Sequence, residues 1–169
     1  KLADEFNLKC GSSKAYSQLS IESNPGNDPI VTISTKDQDI ALYNEVDINV
    51  SGKSTKVSVP IVSIECKTWL DKTMLEGSSS TGGRLKQGIS NAKFYIITET
   101  YGVSNKVRKP KSIDKIFVVK KRTHEKSDYK YDTDYEIVER IYNEVRNHIA
   151  SMNSSTEQLI NNGIINGVI

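Results

Sequence analysis

The sequence predicts a mixed α/β (α+β) fold, a central mixed β-sheet with an antiparallel meander, flanked by helices. Three observations carry this. β-rich runs follow one another at 30–36, 39–50 and 56–70 before any strong helical pattern appears. Two further apolar runs, 93–100 and 113–121, are separated from them and from each other by polar segments. Finally, Ile137, Val138, Ile141, Val145, His148 and Ile149 recur at helical spacing within 133–151, behind acidic residues that suit a helix N-terminus. Consecutive strands followed by alternating helices and strands give a sheet of mixed direction with helical cover.

Taken in order, residues 1–23 read as a broken helix. Asn24-Pro25-Gly26-Asn27-Asp28-Pro29 is a dense turn signal. The runs 30–36 and 39–50 read as two strands, and Ser51-Gly52-Lys53-Ser54 as a hairpin turn that returns the chain antiparallel through 56–70. Pro60 inside that strand marks a bulge, an edge or a late start to its ladder. Between 71 and 90, "GSSSTGG" interrupts the helical signal, so a short helical turn, a flexible link and a helix through "GRLKQGIS" are expected. "KFYIITET" is a short strand of the buried kind, "YGVSNKVRKPKS" a basic loop and "IDKIFVVKK" another strand. The closing "TEQLINNGIINGVI" is apolar and Asn-rich, suited to packing on the core or meeting a partner.

With 169 residues the chain has room for one domain with a real core, taken as 1–169 with its centre at 30–150. Hydrophobic content of 36% and charged content of 26% describe a soluble domain, and no apolar run approaches a membrane span. No basic-then-apolar signal segment opens the sequence, and a start at Lys rather than Met suits a fragment or a processed form. Cys10, Cys66, His124 and His148 have no metal-ligand spacing, which argues against a structural zinc site. The net charge of +2 conceals segregation: residues 51–126 hold 16 Lys/Arg against 6 Asp/Glu, while both flanks are acidic. A basic centre suggests phosphate as a partner, although a solvated lysine-rich surface has the same composition.

The basic centre contains "VPIVSIECKTWLDKTMLEG", 59–77, in which an apolar strand ends on Glu65 and Lys67. Residues i and i+2 of a strand share a face, so a carboxylate and an ammonium project side by side. A same-face ion pair is the simplest reading. The alternative is phosphodiester hydrolysis, where a hard cation needs converging carboxylates and a lysine positions or activates a water. A second carboxylate must then stand beside Glu65. A hairpin turn centred on Gly52 places Asp39 opposite Glu65, whereas Asp47 would need a turn near Lys56, where no turn residues occur. A bulge at Pro60 could slip the register and bring Asp37 into play.

Asp39, Glu65 and Lys67 resemble the D…(D/E)xK signature of the PD-(D/E)xK nuclease superfamily, with Gln38 in place of the Pro of that name. "KDQDIALY", "IVSIECKTWLDKTMLEG", "LKQGISNAKFYIITE" and "SIDKIFVVKKR", across 36–122, further resemble type II restriction endonucleases that recognise interrupted sites of the CCTNAGC kind, some acting as two different subunits. The resemblance implies a restriction-endonuclease-like fold and a prokaryotic cytoplasmic enzyme. It implies Mg²⁺ held by Asp39, Glu65 and the Cys66 backbone carbonyl, with Lys67 orienting the attacking water. It also implies cleavage of double-stranded DNA to 5′-phosphate ends, by a homodimer or by a heterodimer with a second nuclease subunit.

Cys66 itself is expected as a small buried apolar residue, Trp69 and Leu70 as packing, and Asp71 as a helix cap. Lys72, Arg84, Lys86, Lys106, Arg108, Lys109 and Lys111 are candidates for DNA contact, with Lys120, Lys121 and Arg122 continuing the basic run. Glu22 is a possible extra carboxylate and Gln87 an auxiliary polar residue. "GSSSTGGR" fails as a phosphate loop, because Gly83 and Arg84 stand where that motif needs Lys and Ser or Thr. His148 is expected to be packed rather than catalytic. Two rivals stand beside a restriction enzyme: a repair or recombination nuclease with the same core, and a catalytically silent DNA-binding or subunit-partner domain.

Overall fold

The computed structural model describes residues 1–50, 53–104, 106–120 and 133–153. Its elements are α1 (Leu2–Glu5), β1 (Lys9–Glu22), β2 (Ile30–Val50), β3 (Lys53–Leu70), α2 (Lys72–Gly88), β4 (Lys93–Tyr101), β5 (Lys115–Val118) and α3 (Tyr135–Asn153). The strands form one sheet in sequence order. β1 and β3 run antiparallel to β2, with one parallel pairing of their own at Ala15↔Ser58, and β4 and β5 continue in parallel from β3. A mixed sheet with helical cover is the predicted fold class. No described helix is long and apolar enough to cross a membrane.

Three local expectations change. The broken helix at 1–23 is a helix only over Leu2–Glu5, and Lys9–Glu22 is strand β1. Its helix-forming Lys, Ala, Gln and Leu residues are overridden by pairing along β2, which turns Ala15 and Ser17 inward. The runs 30–36 and 39–50 are one strand, β2. The expected break at "GSSSTGG" is absent, because α2 is continuous. Ser78 and Gly82 are buried in it, and a Cβ on Gly82 would come within 2.6 Å of the Phe94 ring and 2.8 Å of the Ser112 carbonyl. Small residues of poor helix propensity are what lets this helix lie close on β4. Asp71 caps it as expected, its Oδ1 accepting the Met74 N–H at 2.8 Å.

Alternation along β4 splits the core between the two sheet faces. Phe94 and Ile96 pack with Leu75 and Leu85 of α2. Tyr95 packs with Leu42, Val62, Ile64 and the α3 residues Val145 and Ile149. Trp69 and Leu70 serve packing: Leu70 is fully buried, and the Trp69 ring lies where any side chain on Gly102 would go.

The hairpin that positions the site pairs Val50 with Lys53 and holds one register as far as Tyr43 and Pro60. There the register shifts by a residue, leaving Ile61 extra on β3, and pairing resumes with Leu42↔Val62, Ala41↔Ser63 and Ile40↔Ile64. Pro60, which has no N–H for a ladder, sits at a β-bulge. Of the expected turn Ser51-Gly52-Lys53-Ser54, Lys53 and Ser54 are instead the first residues of β3, paired with Val50 and Asn49, while Ser51 and Gly52 lie outside the described residues.

Candidate active site

The β2–β3 ladder ends at Ile40↔Ile64. Beyond that pair the strands part: the first half of β2 stays with β1, while the end of β3 stays with β4. The other flank of β2 is irregular at the same point, because Gly11↔Ala41 is followed by Ser13↔Gln38. Asp39 and Ile40 together therefore face Ser12, a bulge of the kind that re-aims a side chain.

Asp39 and Glu65 line a cavity of about 120 Å³ in this fork, together with Lys36, Asp37, Gln38 and Thr81 of α2. Asp39 Oδ2 accepts the Cys66 N–H at 2.8 Å, so the carboxylate is held against the strand that carries Glu65. Lys67 Nζ lies 2.6 Å from Glu65 Oε1. Glu65 Oε2 is buried and has no hydrogen-bond partner among the described residues. A buried carboxylate oxygen without a partner is costly, and native structures tolerate it where a ligand or ion completes the shell. The donors converging here are oxygens, the ligand class of hard divalent cations. Among the described residues no cluster of three or more His, Cys, Asp or Glu side chains assembles. A cation held here would draw on backbone oxygen as well as on the two carboxylates.

Behind the cavity lies a buried polar cluster. Gln38 is 4% exposed and Ser63 fully buried. The Ser63 hydroxyl donates to Gln38 Oε1, Gln38 Nε2 donates to the Lys36 carbonyl at 3.4 Å, and the Ser12 hydroxyl donates to the Gln38 carbonyl at 3.1 Å.

Cys66 departs from expectation, because its side chain is exposed. It lies beyond Ile64, the last β3 residue in the core beneath α3. Partial shielding of the sulfur, then the Asp39 charge, raise the thiol pKa above its ordinary value.

The predicted basic residues divide. Lys72, Arg84, Lys106, Arg108, Lys109 and Lys111 are exposed, as is Gln87, and Lys72 lies 3.8 Å from Glu76. Lys109 also donates to the Ile113 carbonyl. Lys86 instead lies 2.6 Å from Asp114 Oδ2, and Lys120 lies 2.6 Å from Glu99. Lys121 and Arg122 lie outside the described residues. Glu22 pairs with Ile30 at the far end of the β1–β2 ladder and does not line the cavity. His148 is half-buried on α3, and desolvation, then the Lys93 charge, lower its pKa, as for a packed neutral histidine. Lys36, Thr81 and the side-chain role of Gln38 went unseen in the sequence. Thr81 could not be placed while its helix was read as broken, and Gln38 carried only the signal of a departure from the motif.

No curated protein matches the chain. Among solved structures, one described as a native BbvCI A2B2 tetramer at low resolution has a similar fold, with a TM-score of 0.75 and 24% identity. The match covers 88% of this chain and 61% of that one, so the sequence spans less than two thirds of its structural relative. The family model described as Bpu10I restriction endonuclease matches residues 1–162. With nearly its whole length matched, the chain belongs to the Bpu10I restriction endonuclease family.

Proposed function

We propose that this chain is a Mg²⁺-dependent endonuclease of the restriction type, hydrolysing phosphodiesters of duplex DNA at a specific site and leaving 5′-phosphate ends. The observation that carries the reading is the fork itself. Two strands part so that Asp39 and Glu65 meet over one cavity, and Glu65 keeps a buried oxygen without a partner beside Lys67.

Asp39, Glu65 and the Cys66 carbonyl would hold the cation. The N–H and C=O of one strand residue share an edge, and the Cys66 N–H points to Asp39, so its carbonyl faces the same fork. A bound divalent cation supplies Lewis-acid polarisation of the scissile phosphate and lowers the pKa of water. Lys67 has three donors and a compact charge; it orients the attacking water and stabilises charge developing on the phosphate oxygens. Its pairing with Glu65 fixes the ammonium toward the fork before DNA arrives. Exposed Lys72, Arg84, Lys106, Arg108, Lys109 and Lys111 would hold the DNA backbone, giving affinity and salt dependence without sequence information.

One such fork cuts one strand. Double-strand cleavage therefore takes a second copy or a second nuclease subunit, and the A2B2 composition of the structural relative supports such a partnership. The test is incubation with a plasmid mixture in Mg²⁺ or EDTA, for the wild type and for alanine at Asp39, Glu65 and Lys67. Discrete Mg²⁺-dependent fragments, or nicked circles from a lone subunit, are expected from the wild type alone. Cutting at the wild-type rate by any of the three variants overturns the assignment.

A further inference from the structure

The geometry points to Gln38 as a positioning residue for Asp39, acting with the Ser63 hydroxyl as a clamp across the fork. The inference rests on the proposed reading of Asp39 and Glu65 as cation ligands and adds the device that keeps them in register. Asp39 stands where neither neighbouring strand fixes it by regular pairing: the β3 ladder stops at Ile40, and the β1 ladder is bulged at Asp39 and Ile40. Cation ligands must nevertheless be held to within about 0.5 Å of their working geometry.

The residue just before Asp39 supplies what the ladders do not. Gln38 is tied to β3 through Ser63, to β1 through Ser12 and to its own strand through the Lys36 carbonyl. The Gln38 and Ser63 side chains are buried, where hydrogen bonds are strong and an unmet polar group is costly. On the other side of Asp39, its own carboxylate takes the Cys66 N–H. Two side-chain bonds between β2 and β3, one from Gln38 and one from Asp39, thus bridge the place where backbone pairing gives out. The clamp touches no substrate; it acts by deciding where the Asp39 oxygens stand relative to Glu65.

The test compares wild type with Gln38→Leu and with Gln38→Leu/Ser63→Ala. The double variant removes both ends of the bond, so no buried side-chain polar group is orphaned and folding is spared. Amide hydrogen exchange in metal-free protein reads the clamp directly, with Cys66 as the reporter and Phe94, whose N–H is held by Asp114, as the control. Calorimetric titration with Mg²⁺ reads its consequence. In the double variant, Cys66 exchange should speed up while Phe94 exchange stays unchanged, and Mg²⁺ affinity should fall about tenfold, as for other supports of metal ligands. Unchanged Cys66 exchange and Mg²⁺ affinity overturn the clamp. Equal acceleration at Cys66 and Phe94 also overturns it, because that marks general loosening. Glu65→Ala in the same titration separates the two levels of the argument. If it binds Mg²⁺ as the wild type does, the site reading fails, and the exchange data alone decide whether Gln38 holds Asp39 to Cys66. If it loses binding while the double variant keeps it, only the clamp fails.

Discussion

Glu65 and Asp114 each meet a lysine at 2.6 Å, Lys67 and Lys86 respectively, and each carboxylate side chain is 18% exposed. Their second contacts differ. Asp114 Oδ2 also accepts the Phe94 N–H at 2.8 Å, and Oδ1 lies 3.2 Å from Lys93. Desolvation raises its pKa, but the bonds from Lys86, Phe94 and Lys93 outweigh it and hold the carboxyl below its ordinary 3.8. Glu65 has its lysine and a second oxygen that is buried without a partner among the described residues. A saturated carboxylate joins α2 to β4 at the entry to β5. An unsaturated one, at a fork between strands, leaves a buried oxygen without a protein partner among the described residues. Ion-pair distance does not separate the two; the state of the second oxygen does.

The largest expected effect follows from that oxygen. If Glu65 holds a cation as proposed, Glu65→Gln should slow plasmid cleavage at saturating Mg²⁺ by at least about 1,000-fold, roughly 4 kcal/mol of barrier, because a neutral amide holds a divalent cation far less well than a carboxylate. Its urea midpoint should stay near that of the wild type, since the change removes a charge carrying an unpaired buried oxygen. A variant that unfolds early but still cuts would reverse the comparison.

Asp114→Asn should show the opposite pattern. Removing this charge leaves Lys86 and Lys93 facing a neutral amide, at a cost of about 2 kcal/mol for the charged hydrogen bonds lost. Urea unfolding checks this, and the variant should still cut at a temperature where it is folded. The pH dependence has a definite sign. A carboxyl whose folded pKa lies below its unfolded value contributes stability above about pH 4, and that stability is lost as pH falls through the folded pKa. The stability gap between wild type and Asp114→Asn should therefore close below pH 3.8. A gap of constant size in acid would mean that Asp114 acts by packing and not by charge.

The same contrast explains what could be read from the sequence. That Asp39, Glu65 and Lys67 come together was legible because strand periodicity and the expected turn position both depend on local spacing. The register reached Asp39 and Glu65 by two compensating steps: the ladder nearest the turn is one residue out, and the bulge at Pro60 and Ile61 restores it. Pro60 signalled that step without giving its direction. β1 was hidden because only Ala15 and Ser17 of its residues are buried, so its period-two pattern is weak. α2 was hidden for a different reason: "GSSSTGG" disfavours a helix until the ring of Phe94 lies against Gly82. Lys86 reads from the sequence as a DNA-contact candidate with no sign of its ion pair, because its partner, Asp114, comes from the β4–β5 connection. Where a side chain's partner is distant in sequence and met through packing, composition does not show it.

The smallest expected effects sharpen the comparison among the basic residues themselves. Lys72 lies 3.8 Å from Glu76, and both side chains are about two-thirds exposed. An exposed helical pair of this kind contributes no more than about 0.5 kcal/mol. Lys72→Ala should therefore leave the urea midpoint almost unchanged. If Lys72 holds a phosphate, the same change should reduce the slope of log affinity for duplex DNA against log salt by about 0.9. Lys86→Ala should do the reverse, lowering stability through Asp114 and leaving the salt slope as it was. Binding isotherms in EDTA at four salt concentrations separate the two. Equal slopes for Lys72→Ala and wild type would remove Lys72 from the DNA face. A reduced slope for Lys86→Ala would show that DNA draws Lys86 away from Asp114, and the saturated site would then take part in binding after all.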